Sequence, residues 1–196
     1  MPRRRQISRS SRDPRATADA AFQYASALQD KFTKGLASIR DWSHISHNWR
    51  ILADIIEDTA QAWDVAADAF EEAGIRIDTR NAVPPGEHAQ RLRAIEYIVD
   101  KTYRRAGSFG TVFRRRPMSM WKLIEELEGY EGWMYGLRPG RTRSEATIRL
   151  HDDRADEYGR INATDYTYRI FGSEAAIGRL RNVFKDREER GRRPRL

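Results

Sequence analysis

From Trp42 to Phe70, apolar residues recur in alternating steps of three and four: Trp42, Ile45, Trp49, Leu52, Ile56, Thr59, Trp63, Ala66 and Phe70. An unbroken run of this period is one face of a long amphipathic helix. Three of the five tryptophans lie on it. Asp54, Glu57, Asp58, Asp64, Asp68, Glu71 and Glu72 occupy the other faces, and no basic residue occurs between Arg50 and Arg76. The helix therefore has an apolar seam that other elements must cover and an acidic back that water can solvate.

The flanking segments offer partners for that seam. Phe22, Ala25, Leu28, Phe32, Leu36 and Ile39 repeat the period and predict a helix from Ala16 to Arg40, weakened but not broken by Gly35. The short connection from Arg40 to Ser43 predicts an antiparallel hairpin of the two helices, with Asp41 or Ser43 capping the second. Gly74 is the expected stop. Pro84, Pro85 and Gly86 open a third predicted helix, carrying His88, Leu92, Ile95, Val99, Thr102 and Ala106 and ending near Gly107. Ser108 to Pro117 reads as an irregular or extended connector. Ser119 is placed to cap a fourth helix with Trp121, Ile124, Leu127, Tyr130 and Met134 on its stripe. Four elements with one apolar face each predict a helical bundle over residues 16–136.

After Leu137-Arg138-Pro139-Gly140 the pattern changes. Ile148 and Leu150 alternate with Arg149 in one run, and Tyr166, Tyr168 and Ile170 alternate in another, which predicts two strands. Ser173 then caps a last helix with Ile177, Leu180 and Phe184 as its stripe. The expected fold class is thus mainly α: a bundle of about four helices organised on the 42–73 helix, with a small C-terminal ββα element over 137–187.

The ends have another character. Residues 1–15 hold six Arg and one Asp, a net +5, in a composition too poor in apolar residues to order itself. Residues 179–196 also carry +5, so the overall +7 leaves −3 for the body between them. Residues 1–15 read as a disordered basic arm and 188–196 as a basic tail. Arginine outnumbers lysine 31 to 5, which suits bidentate phosphate contacts and equally follows from a GC-rich coding bias.

Several chemistries lack their residues. With no cysteine there is no disulfide, thiolate nucleophile or thiolate metal site. No apolar run approaches the roughly 18 residues of a membrane span, and the basic start precedes no apolar core, so the chain reads as cytoplasmic, with no membrane partner. His44 and His47, with Asp41 before them, share one side of a helix start but supply too few ligands for a metal. His151, Asp152, Asp153, Asp156 and Glu157 are the densest acid cluster, yet the glycine and glutamate of a calcium loop are missing from register. Gly107-Ser108-Phe109-Gly110 follows a predicted helix, the wrong context for a phosphate cradle. No catalytic residue, metal or cofactor is assigned, and the expectation is a non-enzymatic protein.

The segment from Lys101 to Arg116, KTYRRAGSFGTVFRRR, holds six basic residues, no acidic one, and three interleaved aromatics. In one reading Lys101, Arg104, Arg105, Arg114, Arg115 and Arg116 neutralise phosphates while Phe109 and Phe113 stack on unpaired bases. In the other, the two phenylalanines plug the end of the bundle and the arginines pair with acidic faces of the second and fourth helices. The function expected first is nucleic-acid binding, to DNA or RNA with weak sequence preference, through this segment and the basic ends: Arg3, Arg4, Arg5, Arg192, Arg193 and Arg195. The alternative is a structural assembly or adaptor protein of phage or plasmid type, self-associating or bound to a protein partner through its acidic back and basic ends.

Overall fold

In a computed structural model the described residues are 13–39, 49–105, 111–128, 133–152 and 164–191. They form helix α1 (Pro14–Ser38), α2 (Trp49–Glu72), α3 (Pro85–Arg93), strands β1 (Tyr97–Arg105) and β2 (Thr111–Met118), α4 (Met120–Glu128), β3 (Trp133–Pro139), β4 (Glu145–Asp152), β5 (Thr164–Gly172) and α5 (Glu174–Gly191). The strands make one antiparallel sheet in the order β2-β1-β5-β4-β3. Helices lie on both of its faces.

The α1–α2 hairpin forms as the period requires. Asp13 caps α1 by accepting the Arg15 N–H at 3.0 Å, with Pro14 as the first helical residue. Phe22 packs edge-on to Trp63, with ring centroids 5.2 Å apart, and lies beside Phe70, while Gln29 accepts the Trp63 indole N–H at 2.7 Å. These contacts make the two helices antiparallel. α2 ends where expected: Gly74 takes a φ of 64°, the Gly74 N–H reaches the Glu71 carbonyl and the Ile75 N–H reaches Phe70. Trp42 and Ile45 lie outside the described residues, as do Asp41, His44 and His47.

The chain departs from a bundle after Arg93. Spacing predicts one helix through Gly107, but α3 is short and Tyr97–Arg105 is a strand near the middle of the sheet. Tyr97, Ile98, Val99 and Asp100 are all buried in succession, since both faces of the first half of β1 are covered. Such a strand reads as a continuous apolar run, which satisfies a helical period by coincidence. Its β-branched and aromatic residues favour the extended form. The expected connector holds a second strand, β2. The fold is therefore mixed α and β, with five helices and a five-stranded antiparallel sheet among the described residues.

The expected strands and last helix are present, and β4 pairs with β5 with Ile148 opposite Tyr168. Ser173 accepts the Ala176 N–H at 3.0 Å, and Ile177, Leu180 and Phe184 are buried. This unit shares its sheet with the earlier chain, because β5 lies between β4 and β1. Opposite Tyr97, Gly172 fits where a Cβ would come within 2.8 Å of the Glu96 carbonyl oxygen.

Strand alternation separates two cores. Ile98 and Phe171 face the helical layer of Phe32, Leu36, Ile56, Trp63 and Leu92. Tyr97, Val99, Ile148, Tyr168 and Ile170 face α4 and α5. On α4 the buried residues are Leu123 and Leu127, whereas Trp121 is 73% exposed. Of the expected stripe, Leu127 docks on the sheet and Ile124 is half-buried, but Leu123 takes the buried place expected of Trp121. Tyr130 lies outside the described residues and Met134 belongs to β3.

Candidate nucleic-acid interface

The α4-side face of the sheet changes chemistry along β1. Tyr97 and Val99 are buried under the helices, and two and four residues further on come Lys101 and Tyr103, which are half-buried. β5 runs antiparallel, so Lys101 pairs with Tyr168 and Tyr103 with Tyr166. The rings of Tyr103 and Tyr166 are 5.9 Å apart at 43°. Lys101 Nζ lies 4.9 Å from the centre of Tyr166 and 5.3 Å from that of Tyr168. On the other side of β1, Arg114 is the cross-strand partner of Lys101 and the exposed Arg116 that of Val99. Lys101, Tyr103, Tyr166 and Arg116 from three strands thus meet at one end of one face, next to the strand position of Arg114.

A carboxylate from the neighbouring helix joins this group. Glu126 on α4 accepts hydrogen bonds from Lys101 at 2.9 Å, Tyr168 at 2.9 Å and Arg116 at 2.7 and 2.9 Å. Burial alone would raise its pKa, but the Lys101 and Tyr168 hydrogen bonds and the nearby Lys101 and Arg116 charges outweigh burial and hold it below its ordinary value. Glu126 set between Lys101 and Arg116 leaves these three residues net positive.

Arg115 points the other way. Its guanidinium lies 3.4 Å from Asp100, each side chain 4% exposed, and donates to the backbone oxygens of Leu36, at 2.7 Å, and Ile39. The arginine thus ties the end of α1 to the sheet and is unavailable to a surface ligand. Arg104 is exposed and pairs in register with Asp165. Arg105, Phe113 and Arg114 lie on β1 and β2. Arg3, Arg4, Arg5, Phe109, Arg192, Arg193 and Arg195 fall outside the described residues. Within the 101–116 segment Arg115 pairs with Asp100, and Lys101 and Arg116 pair with Glu126 of α4, where Lys101 also lies over Tyr166 and Tyr168. The acids of α2 find a different cation, since Arg93 bridges Glu57 at 2.9 Å and Asp64 at 2.7 Å.

Tyr166 is the residue that sequence reasoning assigned only to a strand. Its chemistry becomes visible through the β1–β5 register, which joins positions 63 residues apart; the legible signal was the Tyr-x-Tyr alternation in β5. Of the acid cluster, His151 Nδ1 lies 2.7 Å from Asp165, and Asp153, Asp156 and Glu157 are outside the described residues. Among the described residues no group of three or more His, Asp or Glu is arranged to hold a metal, and no helix is long and apolar enough to cross a membrane. No protein-family model, curated protein or solved structure matches the chain.

Proposed function

We propose that the protein is a non-enzymatic nucleic-acid-binding accessory protein. The observation that carries this reading is the meeting of Lys101, Tyr103, Tyr166 and Arg116 on one sheet face, next to the strand position of Arg114. Cations supply phosphate contacts, and tyrosines on adjacent strands supply stacking surface at about 1–3 kcal/mol per base. The arginine-rich ends add charge without sequence preference. Arg115 has no part in binding in this reading.

The test is fluorescence polarisation of labelled single- and double-stranded DNA and RNA across a salt series. Removing residues 1–12 and 192–196 leaves the Asp13 cap and α5 intact, and every phosphate that is no longer neutralised lowers the logarithmic salt slope by about 0.7–0.9. Arg114→Ala with Arg116→Ala is expected to remove most of the remaining salt dependence, and Tyr103→Ala to weaken single-strand binding more than duplex binding. Absence of salt-sensitive affinity for all four polymers at low salt rejects the reading.

A second reading, a structural assembly or adaptor protein, draws on a separate observation. Ile51, Ile55 and Val65 on α2 and Tyr24 on α1 are large apolar side chains exposed on the helical layer.

A further inference from the structure

We infer that the outer face of the α1–α2 hairpin docks on the same face of a second copy of this chain, about a two-fold axis parallel to the helices. The inference deepens the assembly reading, on which it rests, and is independent of nucleic-acid binding.

α2 carries a second stripe beside its buried seam: Ile51, Ile55, Asp58, Ala62 and Val65, again at steps of four and three. Ile51 is 57%, Ile55 44% and Val65 60% exposed, and Tyr24 on α1 is 63% exposed. Between the helices on this side lies a cleft of about 430 Å³, whose apolar floor includes Leu28, Leu36 and Leu52 and whose charged rim is Lys31 and Asp58. Scattered exposed apolar residues are ordinary, but a stripe with a groove beside it is a contact surface.

Charge and height select a second copy as the occupant. Facing solvent, α1 presents Lys31 and Lys34 and α2 presents Asp54 and Asp58. Among the described residues Lys31, Asp54 and Asp58 have no ion-pair partner, and Lys34 has only an exposed 4.0 Å contact to Asp30. Gln29 meets Trp63, and Leu36 lines the same cleft as Leu52, so Lys31 stands level with Asp58 and Lys34 level with Asp54. A two-fold axis along the helices lays each α1 over the partner's α2 at unchanged height. Both lysines then meet both aspartates, twice, while the isoleucine stripes close the middle as a four-helix layer. The hairpin is self-complementary in charge and in apolar surface.

Sedimentation velocity of the full chain at rising concentration tests this. The expected result is a dimer mass that falls to the monomer in Ile55→Glu. Because that change could disturb the hairpin, two exposed charge reversals are compared with it: Lys31→Glu with Lys34→Glu, and Asp54→Lys with Asp58→Lys. Each alone is expected to be a folded monomer by circular dichroism, and an equimolar mixture to recover the dimer, since both cross-pairs are restored in the mixed species. A wild-type monomer at the highest concentration overturns the inference, with the groove then covered by another segment or a different protein and the assembly reading left standing. A dimer untouched by both reversals overturns it as well.

Discussion

Trp63 holds the helical layer together by chemistry as well as size. The ring is 1% exposed, with Phe22 edge-on to it, His88 stacked at 4.2 Å and its N–H bonded to Gln29. Trp63→Ala is expected to cost about 3–5 kcal/mol in urea unfolding, and Trp49→Ala less, because Trp49 is only half-buried. His88 adds a pH dependence. Burial, and then the Arg91 charge, hold its pKa below 6.5, against a smaller opposing effect of Glu87. As pH falls below 6.5 the unfolded chain takes up a proton that the folded chain refuses, so stability is lost on acidification. His88→Phe is expected to flatten unfolding free energy between pH 6.5 and the lowered value, measured by urea titration across that range. Arg115→Ala strands Asp100 in the interior and is expected to cost about 3–5 kcal/mol, whereas the exposed Arg116→Ala leaves the thermal midpoint nearly unchanged.

At the scale of elements, α4 is the part through which stability and the proposed interface meet. Its apolar residues Leu123 and Leu127 anchor it to the sheet, and Glu126 turns toward Lys101 and Arg116. Glu126→Gln keeps an acceptor for Tyr168 but removes a carboxylate from among the cations. The expected outcome is stronger, more salt-sensitive nucleic-acid binding together with a lower thermal midpoint. The sign of the pH effect follows from its lowered pKa: the stabilisation is present above 4.5 and is lost as pH falls below it. Trp121, exposed on the same helix, offers a fluorescence reporter for these titrations. Ser173 as a cap, Gly74 as a stop and the Tyr and Thr alternation in β5 were legible because their signals are local, whereas β3 was not, its residues being divided between the end of the fourth expected helix and a loop. Nor was the burial of Leu123 in place of Trp121 on α4, because both are apolar and only the docked sheet selects between them.

For the molecule as a whole, charge is divided between an acidic body and basic extremities, so affinity for a polyanion is expected to be a sum of weak contacts and steeply salt-dependent. The pairing of α1 with α2 along their apolar stripes and the acidic back of α2 were legible in the sequence, since the same 3.6 period runs along both helices. So were the strands β4 and β5 and helix α5, each specified by alternation or a cap within a dozen residues. What the tertiary structure alone decided is the fate of residues 97–118 and of Trp133–Pro139, which form β1, β2 and β3. Tyr97–Asp100 is buried on both faces and carries no alternation, so helix and strand fit it equally until β2 and β5 supply hydrogen-bond partners from either side. The same long-range pairing turned Arg115 inward, brought Tyr166 to Tyr103 and converted an expected bundle with a separate ββα element into helices on both faces of one sheet.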